Sequence, residues 1–336
     1  MSTTMSQQHR SRVLARRRCV ISGATFCAAA LACLALVGAT RAPAQPQPGS
    51  GLVVGIADQR PANLADPRLI DLPVRHARLS VPWDAMRYRW QRAEIDDWMD
   101  AAAAAGMVAQ VTFGRSRTRP FSLPPTAVYA RQVAAFRRRY RDVREFSPWN
   151  EPNIAIHAAN SDPRRIASYY NTLRSQCPKC TVLGADVVDS SSLERWMRAY
   201  LRVFPPGRQP RHWGLHNYVD ANSRSSWGTR TMLRIAPGEI WFNEVGALVR
   251  RPRPSPRARP DRRTLIRAGK RRSAASMRRV FALADLSARI TRVYVYHWMA
   301  DRHAVWDSAL VSPRGTPRPS FDVFAEHARL STQPAR

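Results

Sequence analysis

Two glutamates stand out because each one closes an apolar run. Glu151 lies in the segment WNEPN, and Glu244 lies in the segment WFNEVG. Two carboxyl groups that face each other across a sugar are what glycoside hydrolysis requires. One carboxyl protonates the leaving oxygen, and the other is ionised and attacks the sugar or stabilises its developing positive charge. The alternative is that both glutamates form surface salt bridges with some of the many arginines.

The elements that must position these glutamates follow a regular alternation. Eight short apolar runs are separated by segments with helical spacing of apolar residues. Their apolar character is typical of parallel strands that are buried on both faces. The runs are Leu52–Ala57, His76–Val81, Val108–Phe113, Glu145–Trp149, Thr181–Val187, His212–Tyr218, Ile240–Glu244 and Arg292–Trp298.

Eight strands that each precede a helix predict a single-domain α/β fold, a (β/α)₈ TIM barrel over residues 52–336. Glu151 ends the fourth run and Glu244 ends the seventh, so both carboxyls are expected at the C-terminal face of the barrel, where such barrels do their chemistry. An open doubly wound sheet is the rival architecture. The chain shows no glycine-rich phosphate turn after its first run, which argues against that sheet.

At these residues the sequence resembles clan A of the glycoside hydrolases. Asn-Glu-Pro after the fourth strand is similar to that clan's acid/base motif, and Glu-x-Gly after the seventh strand is similar to its nucleophile motif. The resemblance is strongest to the β-xylosidase and α-L-iduronidase group and to generic secreted glycosidases of high-GC bacteria. It implies a retaining mechanism with Glu151 as acid/base and Glu244 as nucleophile, separated by about 5–5.5 Å. The ionised Glu244 is expected to raise the pKa of Glu151.

The same resemblance implies roles for further residues. Asn150 matches a residue that binds the sugar 2-hydroxyl, and Arg78 matches a cation that orients the nucleophile. His216 and Tyr218 lie two positions apart, so they share one face of a strand and match groups that touch the nucleophile and the substrate. The remaining candidates for substrate binding are Trp298, Trp83 and Asp58. For each of them a purely structural role is the alternative, and nothing in the sequence resembles a metal site or a cofactor motif.

The first 44 residues predict a secretory signal peptide. Arginines precede an apolar run from Val20 to Val37, and the small-residue pattern Ala42-Pro43-Ala44 follows. The run is short for a spanning helix, so no stable membrane insertion is expected after cleavage, although an uncleaved anchor is the alternative. The arginines fit a Sec signal or a twin-arginine variant. Residues 45–51 are predicted to be a linker. The signal peptide places the mature protein outside the cytoplasm, where it is secreted, periplasmic or at the cell envelope.

Two cysteines remain after the predicted leader, Cys177 and Cys180, in the segment CPKC. A zinc site needs two more ligands, and no second paired motif is present. A redox motif would begin a helix after a strand, whereas this pair ends a helix and precedes a strand. In an oxidising compartment a local disulfide is the better interpretation.

The charge of the chain is strongly positive. The net charge is +30, and every basic residue except Lys179 and Lys270 is an arginine. Nucleic-acid binding is disfavoured, because such proteins usually mix both residue types on one face with interleaved aromatics. A carbohydrate is the expected substrate, and anionic glycans or the cell envelope are the partners that this charge suits. The Arg/Pro-rich segment 250–263 is either a basic flap over the site or a solvated insertion. A catalytically inactive barrel that binds carbohydrate or envelope is the alternative function.

Overall fold

Nine parallel strands form one sheet in the computed structural model, which describes residues 51–155, 157–250 and 262–331. The order across the sheet is β5-β4-β3-β2-β1-β9-β8-β7-β6, so the first and last strands of the chain pair with each other. The strands are β1 (Val53–Ala57), β2 (His76–Pro82), β3 (Val108–Gly114), β4 (Glu145–Ser147), β5 (Thr181–Val182), β6 (Asp186–Val188), β7 (His212–His216), β8 (Glu239–Val245) and β9 (Ile290–Tyr296).

The helices connect successive strands and cover the sheet. The sheet curls, and the fold is α/β and resembles a TIM barrel, which confirms the predicted fold class at that level. The helices are α1 (Pro61–Leu64), α2 (Pro67–Ile70), α3 (Arg89–Ala104), α4 (Thr126–Arg139), α5 (Pro163–Gln176), α6 (Leu193–Leu201), α7 (Tyr218–Ser223), α8 (Trp227–Ile235), α9 (Arg262–Ala284) and α10 (Pro319–Leu330). Short 3₁₀ helices cover Ala85–Arg87 and Ala158–Ser161.

The strand count differs from the prediction at one place. The fifth predicted run, Thr181–Val187, is divided into β5 and β6, and residues 183–185 lie between them. Residues 183–185 form backbone hydrogen bonds with the strands on both sides of them. The Leu183 N–H donates to the Phe146 carbonyl at 2.8 Å, and the Gly184 N–H donates to the His212 carbonyl at 2.8 Å. The connection therefore contacts the backbone of both β4 and β7.

Local sequence explains where the covering helices begin and end. Asp162 caps α5 by accepting a hydrogen bond from the Arg165 N–H at 2.9 Å, and Pro163 occupies the first turn, where its missing N–H has no cost. Gly106 follows α3 with a positive φ of 65°, a conformation that favours glycine and ends the helix. These capping residues determine where the helices begin and end. The helix ends in turn determine where the following strands begin.

A layer of buried polar side chains lies among the strands. Alternation along β2 and β3 sends Leu79 and Val111 toward the helices, while Arg78 and Thr112 contact each other at 3.2 Å. Arg78 is fully buried, and its guanidinium reaches residues on β6 and β8. At the start of β4, Glu145 accepts a hydrogen bond at 2.8 Å from Arg292 of β9. The strands thus carry polar groups that face one another across the curled sheet.

Several predicted segments lie outside the described residues. These are the signal peptide 1–44, most of the linker 45–51 and most of the Arg/Pro-rich segment 250–263, which follows β8. Within the described ranges, no helix combines the length and the apolarity needed to cross a membrane.

Cys177 and Cys180 are disulfide-bonded in the structure, as the sequence predicts, with their Cα atoms 5.3 Å apart. Both cysteines are buried at the end of α5. We expect mass spectrometry of unreduced, alkylated protein to show neither cysteine alkylated, because the disulfide leaves no free thiol at either position. The same protein after reduction is the control. Two alkylated cysteines in the unreduced sample would contradict the bridge.

Candidate active site

The Glu151 carboxyl is positioned by an unusual backbone turn after β4. Glu151 has a positive φ of 52°, a conformation that non-glycine residues adopt only at a cost in free energy. Its N–H donates to the Asp186 carbonyl at 2.8 Å, and its own carbonyl bonds to His157 Nδ1 at 2.9 Å. These contacts hold the strained turn, so the side chain is presented at the C-terminal end of the sheet.

Glu244 lies near the end of β8 and is held by two donors. Arg78 Nη1 donates to Glu244 Oε2 at 2.8 Å, and the Tyr218 hydroxyl donates to Oε1 at 3.2 Å. Tyr218 is the first residue of α7 rather than the end of a strand, because β7 stops at His216. Both carboxylate oxygens of Glu244 are therefore held in place by donors on other elements.

The two glutamates face each other closely. One carboxylate oxygen of Glu151, one of Glu244 and a ring nitrogen of His216 all lie within 4.8 Å of one another. His216 Nδ1 is 3.0 Å from Glu151 Oε1 and 3.9 Å from Glu244 Oε2. The structure therefore brings together four residues that the sequence singles out: Glu151, Glu244, His216 and Tyr218.

The pKa of Glu151 is lowered in this arrangement, so the sequence-based prediction that Glu244 raises it is wrong. Burial of the carboxyl alone would raise its pKa, but the hydrogen bond and charge of His216, together with Arg78, hold the pKa below its usual value. Burial alone would lower the pKa of His216, whereas the charge of Glu244 and the hydrogen bond to Glu151 raise it. His216 and Glu151 therefore form a hydrogen-bonded pair that titrates together, in which the pKa of the histidine is raised and that of the carboxyl is lowered.

Asp186 is a central member of the site that sequence reasoning missed. It is fully buried and accepts hydrogen bonds from Arg78 at 2.9 Å, from Thr112 at 2.7 Å and from Asn243 at 2.8 Å. Burial would raise its pKa, but the positive charge of Arg78 lowers it. The sequence did contain a sign of this role, because Asp186 is an acid within an otherwise apolar run. An acidic residue is rarely buried without a partner.

We predict that Asp186→Asn lowers the free energy of unfolding by about 3 kcal/mol, because Arg78 then remains buried with less compensating charge. Since the folded pKa of Asp186 is lowered, its contribution is present above the unfolded pKa of about 3.9 and is lost as pH falls through the folded value. Urea unfolding at pH 7 measures the change. The matched control is Asp96→Asn, which removes the partner of Arg139 in an exposed pair and should cost under about 1 kcal/mol. Equal losses in both variants would contradict the prediction.

Asn150 and Arg78 occupy the positions that the resemblance implies. Arg78 Nη2 donates to Asn150 Oδ1 at 2.6 Å, and Asn150 lies beside the two glutamates in an open cleft of about 480 Å³. The cleft is walled by the last residues of β2 and β9 and by residues that follow β1 and β3. Its lining includes several residues that the sequence did not single out as site candidates: Gln59, Ser80, Arg115, Arg117 and Tyr296.

Three sequence candidates lie away from the cleft. Trp298 is fully buried and packs against Phe321 and Phe324, so no sugar ring reaches its face. Asp58 is buried, and its oxygens accept hydrogen bonds from the Asn63 side chain and from the Trp298 N–H. Trp83 is buried beside a neighbouring groove. The structure thus gives Trp298 and Asp58 structural contacts, in place of the predicted contacts with substrate.

The glutamate pair is also the kind of cluster that binds cations. Among the residues that the structure describes, Glu151, His216 and Glu244 form the one group with suitable ligand spacing. His216 Nδ1 already lies 3.0 Å from Glu151 Oε1, within hydrogen-bond distance. Arg78 already neutralises Glu244. Both features favour proton chemistry over metal binding.

Comparison with known proteins gives matches among solved structures alone. No family model matches the chain, and no curated protein matches it. A family 39 glycoside hydrolase from Bacteroides cellulosilyticus WH2 is 14% identical with a TM-score of 0.56 over 82% of this chain, which spans 63% of that structure's length. A GH10 endoxylanase from a sugarcane soil metagenome is 14% identical with a TM-score of 0.59 over 84% of this chain and 98% of that one.

A third structure, GH5_18 from Streptomyces cattleya in complex with GlcNAc, is 14% identical with a TM-score of 0.58 over 85% of this chain and 82% of that one. Identity at this level establishes the fold alone. The chain therefore has the α/β, TIM-barrel-like fold of clan A glycoside hydrolases, the clan that its two glutamate motifs resemble.

Proposed function

We propose that this protein is a retaining O-glycoside hydrolase that cleaves a poly- or oligosaccharide by double displacement. The observation that carries the proposal is the glutamate pair, whose nearest carboxylate oxygens lie within 4.8 Å. Retaining enzymes keep their two carboxyls about 5–5.5 Å apart, while inverting enzymes need about 6.5–9.5 Å to admit a water. The short separation favours direct attack by one of the carboxylates.

The contacts assign different roles to the two glutamates. Glu244 is held by Arg78 and Tyr218 as a carboxylate, which suits a nucleophile that attacks the anomeric carbon. Glu151 shares a proton with His216, which suits a group that donates a proton to the leaving oxygen and later removes one from water. Asn150 lies between Arg78 and the cleft, where its amide is available to the sugar 2-hydroxyl.

Protonation of the leaving oxygen depends on where the proton shared by Glu151 and His216 lies before the substrate binds. Burial alone would lower the pKa of His216, but Glu244 and Glu151 raise it, which supports a proton held on His216, one hydrogen bond away from Glu151. A substrate that fills the cleft displaces water and disfavours the ionised Glu151. Transfer of the proton from His216 Nδ1 to Glu151 Oε1 then prepares the general acid.

We also propose that the sheet closes into the (β/α)₈ barrel that the sequence predicts. The segment from Thr181 to Val188 then counts as a single fifth strand with an irregular centre. Support comes from its hydrogen bonds to Phe146 on one side and to His212 on the other. A parallel bridge between Asn150 and Asp186 continues the pairing toward the site.

A panel of aryl glycosides tests the activity. The proposal predicts turnover of at least one sugar, and NMR of the first product should show the anomeric configuration of the substrate. GlcNAc, which occupies the GH5_18 structure, and xylose, the sugar of the xylanases, belong in the panel. First product of opposite configuration would contradict retention. Salt-sensitive binding of glycans without any turnover would favour the alternative, a catalytically inactive binding protein.

Secretion is the remaining part of the proposal. It rests on the order of arginines, apolar run and Ala42-Pro43-Ala44 in the sequence. N-terminal sequencing of exported protein should begin at about Gln45. Recovery of full-length protein from the cytoplasm alone would contradict it.

A further inference from the structure

A second groove lies beside the cleft, on the other side of the loop between β3 and α4. Its volume is about 520 Å³. The start of α4 forms one wall, and residues that follow β2 form another. Its lining is Trp83, Arg87, Arg119, Ser122, Leu123, Pro124, Pro125, Val128, Arg131 and Gln132. We call this surface the side groove.

The side groove is positively charged. Arg87, Arg119 and Arg131 line it, and its lining contains no acidic residue. All three arginines are exposed, and none of their guanidinium groups makes a hydrogen bond or an ion pair within the described part of the chain. The first turn of α4 also lacks an acid, so its backbone N–H groups add to the positive potential.

Other exposed arginines of this chain differ in their surroundings. Arg198 and Arg234 both pair with Glu194, at 2.7 Å and 2.8 Å. Arg138 and Arg141 have no acidic partner among the described residues, but they lie at the far end of α4, outside both concave surfaces. The side groove differs from these surroundings in being a concave surface that is lined by three arginines and no acid.

The loop between β3 and α4 contributes residues to both the cleft and the side groove. Ser116, Arg117 and Pro120 of this loop line the cleft, while Arg119 and Ser122 line the side groove. Phe121 lies between the two sets and is 75% exposed. An exposed aromatic ring between two polar grooves is suited to stacking on the apolar face of a sugar. One extended chain can therefore contact both surfaces.

The cleft itself carries cations of the same kind. Arg115 is exposed in the cleft wall and has no hydrogen bond or ion pair among the described residues. Apart from Glu151 and Glu244, the cleft lining has no acidic residue. Arg115 of the cleft and the three arginines of the side groove therefore place cations on both sides of Phe121.

We propose that the side groove binds an anionic polysaccharide, whose carboxylate or sulfate groups pair with Arg87, Arg119 and Arg131 while the chain passes over Phe121 into the cleft. The assignment of this chain as substrate rests on the function proposed above. Guanidinium groups bind carboxylate and sulfate oxygens through paired N–H donors, which gives both charge and geometry for such a ligand.

Binding of defined polymers to the mature protein tests the proposal. The probes are polygalacturonate for carboxylate, dextran sulfate for sulfate, dextran as a neutral chain and a single-stranded DNA as another polyanion. The triple variant R87Q/R119Q/R131Q should weaken binding of one anionic glycan about tenfold, the product of roughly twofold to threefold for each exposed charge pair. A loss of binding to polygalacturonate would identify carboxylate as the group that the side groove binds. A loss of binding to dextran sulfate would identify sulfate.

The matched control is R138Q/R141Q/R144Q, which removes the same charge at the opposite end of α4, about 20 Å away along a helix of that length. This variant should leave binding within about twofold. Equal weakening in both triple variants would overturn the proposal, because binding would then follow net charge alone. Tighter binding of DNA than of both anionic glycans would also overturn it.

Activity on small aryl glycosides separates this proposal from the proposed function. Such substrates fill the cleft alone, so R87Q/R119Q/R131Q should retain wild-type turnover of them. If the wild-type protein turns over no glycoside while the side-groove variant still loses glycan binding, the proposed function fails and the binding site stands. If turnover is normal and glycan binding is unaffected, the side-groove assignment fails and the proposed function stands.

Discussion

Glu244→Ala should abolish turnover, and azide should restore part of it. Glu244 is the carboxylate that Arg78 and Tyr218 orient, so its loss removes the group that attacks the anomeric carbon. The expected decrease in kcat is about 10⁴-fold or more, the order seen when a covalent nucleophile is removed. The vacated space admits azide, which attacks the same face of the sugar. The product is therefore a glycosyl azide with a configuration inverted from that of the substrate.

The control for this variant lies on the same strand. Glu239 begins β8 and accepts a hydrogen bond from Thr291 at 3.0 Å, far from the cleft end of that strand. Glu239→Ala should retain wild-type kcat, and azide should have no effect on it. Circular dichroism of both variants establishes that they are folded. Wild-type activity in Glu244→Ala would contradict the assignment of the site.

Glu151→Ala should affect substrates according to their leaving groups. In the proposed mechanism Glu151 supplies the proton to the leaving oxygen, so substrates with poor leaving groups such as alkyl alcohols should lose about 10²–10⁴-fold in kcat/KM. Dinitrophenyl glycosides leave without protonation, and their first step should change by less than about tenfold. In the wild-type protein the rate should fall at high pH, because the proton shared by Glu151 and His216 is lost there. The pH–rate profile of Glu151→Ala should lack this basic limb.

Glu94→Ala is the matched control for Glu151. Glu94 pairs with Arg117 of the cleft wall at 2.6 Å, and both side chains are about half exposed. Its removal changes the charge near the cleft without removing a proton donor from the glutamate pair. The leaving-group dependence and the basic limb should be unchanged. The same loss for all leaving groups in Glu151→Ala would indicate a role in binding rather than in proton transfer.

The positions of the strands and of the two glutamates were predictable because they follow local rules. Apolar runs of strand length separated by helical segments predict the alternation, and a polar motif after a strand marks its C-terminal end. The division of the fifth run into β5 and β6 was not predictable, because it depends on bonds that Leu183 and Gly184 make to two different neighbours.

The electrostatics of the site depend on contacts across strands, which one sequence does not specify. The lowered pKa of Glu151 follows from the approach of His216 despite the burial that would raise it, and these residues are 65 positions apart. Asp186 was missed for the same reason, since its partner Arg78 is 108 positions away. Trp298 was expected at the cleft, but the chain after β9 turns its ring toward Phe321 and Phe324.

Mass spectrometry of a trapped intermediate tests the central claim most directly. The probe is the 2-deoxy-2-fluoro analogue of the aryl glycoside that the protein turns over fastest, because the fluorine slows hydrolysis of a glycosyl-enzyme. We expect one covalent sugar per chain, attached to the peptide that contains Glu244, and no adduct in Glu244→Ala. An adduct on Glu151, or turnover of the parent substrate to a product of inverted configuration, would contradict it.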